Sequence, residues 1–329
     1  MAVIGFVLKA MSILVATLFS RLVRGRTLPS WSLKSEVSVN VFRYVLKLAA
    51  TKEPDWFRKF QASLDLKSNL TDAQINQKEQ VEAIDVEWFI PRDEADDRNV
   101  VLYLHGGGYV YGSIDGYRAF LVDLAVKSKT RVLAVDYRLA PEHKFPSAQQ
   151  DVETIYSWLV AKGFPPKRIG IAGDSAGGGL TMSLLFSLKM QKRTQPAFGL
   201  LFSPWVNPTA EGGSMRHNEA YDIFTQHWLQ HCFEQFIGDH DKKDPLVSAV
   251  NGDVDSLCPL YMTAGDAELF IDQIEALHNK VLAAGGDSTL DRCVDMVHDF
   301  PILMRDLDVS QQTMSRVISH MHKHYPSSS

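Results

Sequence analysis

Cysteine is scarce in this chain: Cys232, Cys258 and Cys293 are the only three in 329 residues, and they show no paired spacing. That argues against a disulfide framework and against a cysteine-built zinc site, and it leaves the three thiols as small buried apolar groups. A basic excess is also missing. The formal net charge is −5, and no stretch resembles a nucleic-acid module, so a polynucleotide partner is set aside. Metal motifs are lacking too. Of His217, His227 and His231, only the last two share a helical face at i,i+4, and no carboxylate motif joins them. The N-terminus has neither a basic n-region nor a small-x-small cleavage site, which speaks against a cleaved signal peptide. What is present, 45% apolar and 22% charged residues, makes a core large enough for one sizeable domain and a cap.

The central stretch is Ile169-Gly-Ile-Ala-Gly173-Asp174-Ser175-Ala176-Gly177-Gly178-Gly179, a short apolar strand running into a glycine-flanked serine and then a helix. The pattern G-x-S-x-G places a serine on a strained strand-to-helix turn that aims its hydroxyl away from the sheet. Small neighbours are needed there, because a Cβ on either side would strike the adjacent strand and helix. The N–H of Ala176 then lies at a helix N-terminus, facing any oxyanion that forms. Taken alone, the pentapeptide also fits a plain glycine-serine turn opening an ordinary helix. Context favours the nucleophile. The buried-strand run 100–104 ends in His105-Gly106-Gly107-Gly108-Tyr109, and the free N–H groups of Gly107 and Gly108 would supply the rest of an oxyanion hole upstream of the serine.

With Asp136-Tyr137-Arg138-Leu139-Ala140-Pro141-Glu142-His143-Lys144-Phe145-Pro146-Ser147-Ala148 between them, these motifs resemble the hormone-sensitive-lipase branch of the α/β-hydrolases. That group includes carboxylesterases, arylacetamide deacetylases and steryl deacetylases. The resemblance covers about residues 80 to 320 and is specific for the family, not for a substrate. It implies a mostly parallel central sheet flanked by helices, with a helical cap drawn from the N-terminus and from an insertion. The alternation of strands (132–135, 197–203, 259–264) with helical patterns (116–129) predicts the same α/β sheet. The boundaries read from the chain are an apolar segment at 1–26, cap helices at 27–80, core at 81–205, cap insertion at 206–256 and core again at 257–329. The first strand is expected at 81–90, a solvated turn at 92–98 and the last strand at 292–297.

The acid of a serine triad in this fold follows the serine and precedes the histidine. The resemblance implies an acid, an apolar residue two positions on and a second acid four positions on, which Glu268, Phe270 and Asp272 satisfy. Glu268 is the expected acid, although the family usually has Asp there, and Asp266 is its rival. Asp272 belongs to the first turn of the next helix. In Met296-Val297-His298-Asp299-Phe300, His298 resembles the family's catalytic histidine, with Asp299 standing where glycine is commoner. His320, His322 and His324 lie in the polar tail. His105 is expected to brace the glycine loop, Asp136 and Arg138 to form a structural ion pair, and Trp228, Phe233 and Phe236 to line an apolar pocket.

The expected chemistry is hydrolysis of short-acyl esters of an apolar alcohol, acetyl esters among them, through Ser175, Glu268 and His298, with no cofactor and no metal. An amidase or arylacetamide-type deacetylase uses the same steps. A small-ligand receptor on the same fold is the non-catalytic alternative, against which His298 argues. Oligomeric state is left open. Residues 2–20 are apolar apart from Lys9, with Arg21, Arg24 and Arg26 following. They read either as a membrane anchor, giving an endoplasmic-reticulum association, or as a cap helix on a cytoplasmic protein. The Asn69-Leu70-Thr71 sequon matters only in a lumenal setting.

Overall fold

The computed structural model describes residues 2–63, 74–92 and 98–327. The Asn69-Leu70-Thr71 triplet and most of the 92–98 turn lie outside the described residues. Three helices come first: α1 (Ala2–Arg24), α2 (Leu33–Ala49) and α3 (Pro54–Ser63). Ser32 starts α2 by accepting a hydrogen bond from the Ser35 N–H through its side chain, which satisfies one of the amides that a helix leaves unpaired at its N-terminus.

Strands and helices then alternate. In chain order they are β1 (Gln74–Val81), β2 (Ile84–Pro91), β3 (Val100–Leu104), α4 (Ile114–Ser128), β4 (Arg131–Asp136), α5 (Ser147–Ala161), β5 (Ile169–Asp174), α6 (Ala176–Met190) and β6 (Phe198–Phe202). The segment between β6 and the next strand contributes α7 (Gly213–His217) and α8 (Gln226–Ile237). The chain closes with β7 (Leu260–Gly265), α9 (Ile271–Ala283), β8 (Ser288–Cys293), α10 (Phe300–Leu303) and α11 (Asp308–His324).

One eight-stranded sheet results, in the order β1-β2-β4-β3-β5-β6-β7-β8. Strands β3 to β8 run parallel, while β1 and β2 form an antiparallel edge hairpin against β4. The inner strands are buried on both faces, which explains why 100–104 and 169–174 read as continuous apolar runs rather than alternating ones. Alternate residues of each strand enter two separate cores. Leu102, Leu133 and Ile171 pack with α5, α6 and α9, whereas Val101, Tyr103 and Val132 pack with α4 and α11.

Two strand expectations need correction. The stretch 81–90 is not the first strand but the second half of a hairpin that turns at Glu82 and Ala83, both with positive φ. Its partner, Gln74–Val81, is polar because it lies at the sheet edge, so it carries little hydrophobic signal. The last strand is Ser288–Cys293 rather than 292–297. Residues 294–299 instead form the turn that delivers His298 to the sheet's C-terminal edge. The three cysteines are free and buried.

Leu102 is fully buried between β4 and β5. Leu102→Ala is therefore expected to lower unfolding free energy by about 2–5 kcal/mol, as for other core leucine truncations, read from the urea midpoint. A loss below about 1 kcal/mol would mean that this central strand is less tightly packed than described.

Candidate active site

Parallel strands with helices on both faces leave a crevice at the strands' C-terminal ends, and the candidate residues converge there. Ser175 follows β5 directly and has φ 50° and ψ −118°, a left-handed conformation that a non-glycine residue adopts only when its surroundings enforce it. They do so here. The Ser175 N–H donates to the Phe202 carbonyl at 2.9 Å, and its own carbonyl accepts from Trp205 N at 2.8 Å and Gly179 N at 3.1 Å. The turn is held on three sides by backbone. A Cβ at Gly173 would strike the Gly177 carbonyl, and one at Gly177 would strike the Leu104 carbonyl. The glycines are there because three stretches of backbone touch.

The glycine loop is tied to this elbow through Asp174. Its carboxylate accepts from Gly106 N at 2.9 Å, Tyr103 OH at 2.6 Å and Tyr117 OH at 2.7 Å. Gly107 and Gly108 both have positive φ. A Cβ on Gly108 would lie 2.9 Å from Cys232 Sγ and 3.2 Å from Trp228, so α8 closes directly over the loop. His105 is buried, contacts the Gly106 carbonyl through Nδ1 at 2.7 Å and stacks on Tyr137 at 4.4 Å. It braces the loop, and burial keeps it neutral by pushing its pKa down.

Glu268 lies fully buried in the loop after β7. Its Oε2 accepts from Ser203 Oγ at 2.7 Å and from Gly265 N at 3.1 Å, while Oε1 has no hydrogen-bond partner. His298 is likewise buried, with Nδ1 unpartnered and Nε2 lying 3.0 Å from Asp299 Oδ2. Neither Ser175 Oγ nor Glu268 hydrogen-bonds His298. The carboxyl beside Nε2 is that of Asp299, whose own φ of 51° suits the glycine commoner at that place. Asp266 is differently engaged. Its Oδ1 accepts from Asp295 N at 2.6 Å, fixing the turn before His298.

Two side chains knit the Glu268 and His298 loops together. Ser203 Oγ, besides donating to Glu268, accepts from Asp299 N at 3.0 Å. Asp222 arrives from the segment between β6 and β7. Its Oδ1 accepts from His298 N at 3.0 Å and Ile223 N at 2.8 Å, and its Oδ2 accepts from Leu269 N at 2.7 Å. Sequence reasoning missed Asp222. It is an isolated acid in the apolar run Asp222-Ile223-Phe224, with no spacing that ties it to residue 269 or 298.

Asp174, Asp222 and Asp299 thus crowd around one imidazole, and Glu268 lies beside Asp222 and Asp299. Burial raises the pKa of all four, and for Asp174, Glu268 and Asp299 mutual repulsion adds to it; Asp174 reaches about 8. Burial pushes His298 the other way, down to about 4, against the pull of Asp222 and Asp174. Phe224 and Phe270 meet the imidazole edge-on at 4.5 and 5.1 Å, and this apolar wall is the source of the desolvation.

Other expectations resolve as follows. Arg138 pairs with Asp151 at 2.7 Å, not with Asp136, whose carboxylate accepts from Ile114 N instead. Trp228, Phe233 and Phe236 are buried, with Phe236 stacked on Tyr109 and Trp228 on Phe224. Asp272 lies in the first turn of α9 and accepts from Ser214 N. Among the described residues, no cluster of three or more potential ligands could hold a metal ion.

Residues 101–302 match a family model described as the alpha/beta hydrolase fold. An acetyl-hydrolase of Streptomyces hygroscopicus is 35% identical over 213 residues, 64% of this chain and 71% of that protein. An ethyl acetate hydrolase of Pseudomonas putida is 29% identical over 231 residues, 68% of this chain and 73% of that protein. The crystal structure of an esterase from the bacterial hormone-sensitive lipase family superposes with a TM-score of 0.81 at 32% identity, covering 88% of this chain and 98% of that one.

Asp222→Ala would strand the amides of Ile223, Leu269 and His298 in the interior. The expected loss is about 1–3 kcal/mol for each stranded donor, read by urea unfolding, with Asp222→Asn recovering part of it through its remaining oxygen. Equal stability of Asp222→Ala and the parent would remove Asp222 from this role.

Proposed function

The chain belongs to the α/β-hydrolase fold family and is a carboxylic-ester hydrolase, and from that premise we propose that it removes short acyl groups, acetyl foremost, from an apolar alcohol. Ser175 is the nucleophile in this reading, His298 the base and Glu268 the acid. The observation that carries it is the left-handed Ser175 at the strand-to-helix turn, coupled to the glycine loop through the Asp174–Gly106 hydrogen bond. Nucleophile and oxyanion donors are thereby held in one rigid unit, as acyl transfer requires.

His298 takes the Ser175 proton through Nε2 while Nδ1–H turns to Glu268, and the serine oxygen attacks the ester carbonyl. The N–H groups of Gly107, Gly108 and Ala176 receive the oxyanion. The protonated imidazole then gives its proton to the leaving alcohol, and water repeats the steps on the acyl-enzyme. The unpartnered Glu268 Oε1 and His298 Nδ1 supply the acceptor and donor that this pairing needs. Asp266 is already occupied by Asp295 N, which supports Glu268 over its rival. Catalytic hydrogen bonds are often formed only when substrate binds. In forming them the imidazole exchanges its contact with Asp299 for one with Ser175.

Support for a small acyl group comes from α8, whose Cys232 and Trp228 crowd the glycine loop, and from the names of two relatives, an acetyl-hydrolase and an ethyl acetate hydrolase. Support for an apolar alcohol comes from the buried aromatic layer of Tyr109, Trp205, Phe233 and Phe236.

Hydrolysis of p-nitrophenyl esters is expected to fall from acetyl to long chains, and Ser175→Ala to lower kcat by about a millionfold. Persistent turnover in Ser175→Ala would refute the assignment. Anilide cleavage matching ester cleavage would favour the amidase reading, and tight ligand binding without turnover the receptor. Glu268→Ala should be far more damaging than Asp266→Ala, with the reverse ranking moving the acid role to Asp266. The pH profile has a definite sign. A lowered pKa keeps His298 unprotonated, so kcat/KM should hold as pH falls through 6.5 and drop only near pH 4. An acid limb at or above 6.5 would show that the free base is not desolvated as described.

A further inference from the structure

Helix α1 is built inside out. Phe6, Ala10, Ile13, Thr17 and Arg21, spaced four, three, four and four residues apart, are its only half-buried or buried residues between 5 and 24. They form one stripe, and this stripe packs on α2. It holds the helix's polar anchoring. Thr17 Oγ1 accepts from Asn40 Nδ2 at 3.0 Å, and Arg21 reaches the buried Glu36 at 3.5 Å and the Trp31 carbonyl at 3.0 Å. Lys9, beside the stripe, places its ammonium 5.5 Å from the Tyr44 ring centre.

The opposite face, at 100° per residue, is centred on Leu8, Met11, Val15, Phe19 and Leu22. These are 60 to 85% exposed, and no charge lies among them. Nine of the thirteen large exposed apolar side chains among the described residues belong to this one helix. A helix facing water does the reverse, turning charge outward and apolar groups in. The exposed Arg24 and Arg26 follow at its C-terminal end, placed to meet anionic headgroups.

We propose that α1 lies in the plane of a membrane, its outward face sunk into one leaflet and its inner stripe fixed to the protein, so that the catalytic domain rests against the bilayer. The helix is about 35 Å long at 1.5 Å per residue and long enough to cross. Crossing, however, would strip Thr17, Arg21 and Glu36 of the partners that the inner stripe gives them, leaving polar groups in hydrocarbon. The in-plane arrangement keeps all of them. The proposal rests on the geometry of α1 and α2 and is independent of the catalytic assignment.

The test is sedimentation of the full chain with vesicles of phosphatidylcholine alone and of phosphatidylcholine mixed with phosphatidylserine. The parent should bind both, more strongly the anionic ones and less so at high salt. Val15→Glu combined with Phe19→Glu should lower binding by about tenfold or more while hydrolysis of p-nitrophenyl acetate is unchanged, and Leu282→Glu, at an exposed apolar residue elsewhere, should bind as the parent does. Failure of the parent to bind either vesicle, or binding undiminished in the double variant, would overturn the proposal. So would a stable dimer of the parent that the double variant dissociates, because the face would then be covered by a second copy.

Discussion

Everything around Ser175 depends on one close approach of backbones. The turn at Ser175 brings the end of β5, the start of α6 and the loop after β3 together with no side chain between them, which is why Gly173 and Gly177 face the carbonyls of their neighbours. A larger residue at either place would push the elbow away from β3 and with it the glycine loop. The left-handed Ser175 is thus a consequence of sheet and helix packing. Its strain is borne by the hydrogen bonds to Phe202, Trp205 and Gly179.

A second constraint is electrostatic. Asp174, Asp222 and Asp299 surround one imidazole together with two phenyl rings, Glu268 lies beside Asp222 and Asp299, and among the described residues no lysine or arginine is hydrogen-bonded to these carboxyl groups, Arg43 reaching Asp222 only through its backbone carbonyl. Such a set cannot ionise freely. The backbone amides of Gly106, Gly265, Ile223, Leu269 and His298 serve in place of cations, each donating to a carboxylate. These same bonds set the loops at their separations, so stability and the protonation of His298 are linked through the same groups. Asp222 is the clearest case, a single side chain that fixes the loops of both Glu268 and His298.

The parts legible in the sequence were those with local causes. Apolar runs of four to six residues marked the inner strands, because strands buried on both faces need no alternation. Glycines at fixed offsets marked the elbow and the glycine loop, because backbone contact leaves room for nothing else. The rest depended on partners distant in the chain. The edge strand Gln74–Val81 is polar and visible only through its pairing with β2. Asp136 is the acid nearest Arg138 in sequence, but α5 brings Asp151 to it. Asp222 meets residues 47 and 76 positions away, and no local pattern announces that meeting. The departure at Asp299 was visible, but its contact with His298 Nε2 was not, since that needs the turn after β8.

The proposed chemistry requires Ser175 to be the activated nucleophile of this cluster. The most direct measurement is intact-mass and peptide mapping after reaction with a p-nitrophenyl phosphonate, in the parent and in His298→Ala. One adduct per chain, located on Ser175 and formed far more slowly without His298, is the predicted result. An adduct on another residue, or labelling of Ser175 at the same rate in His298→Ala, would contradict it.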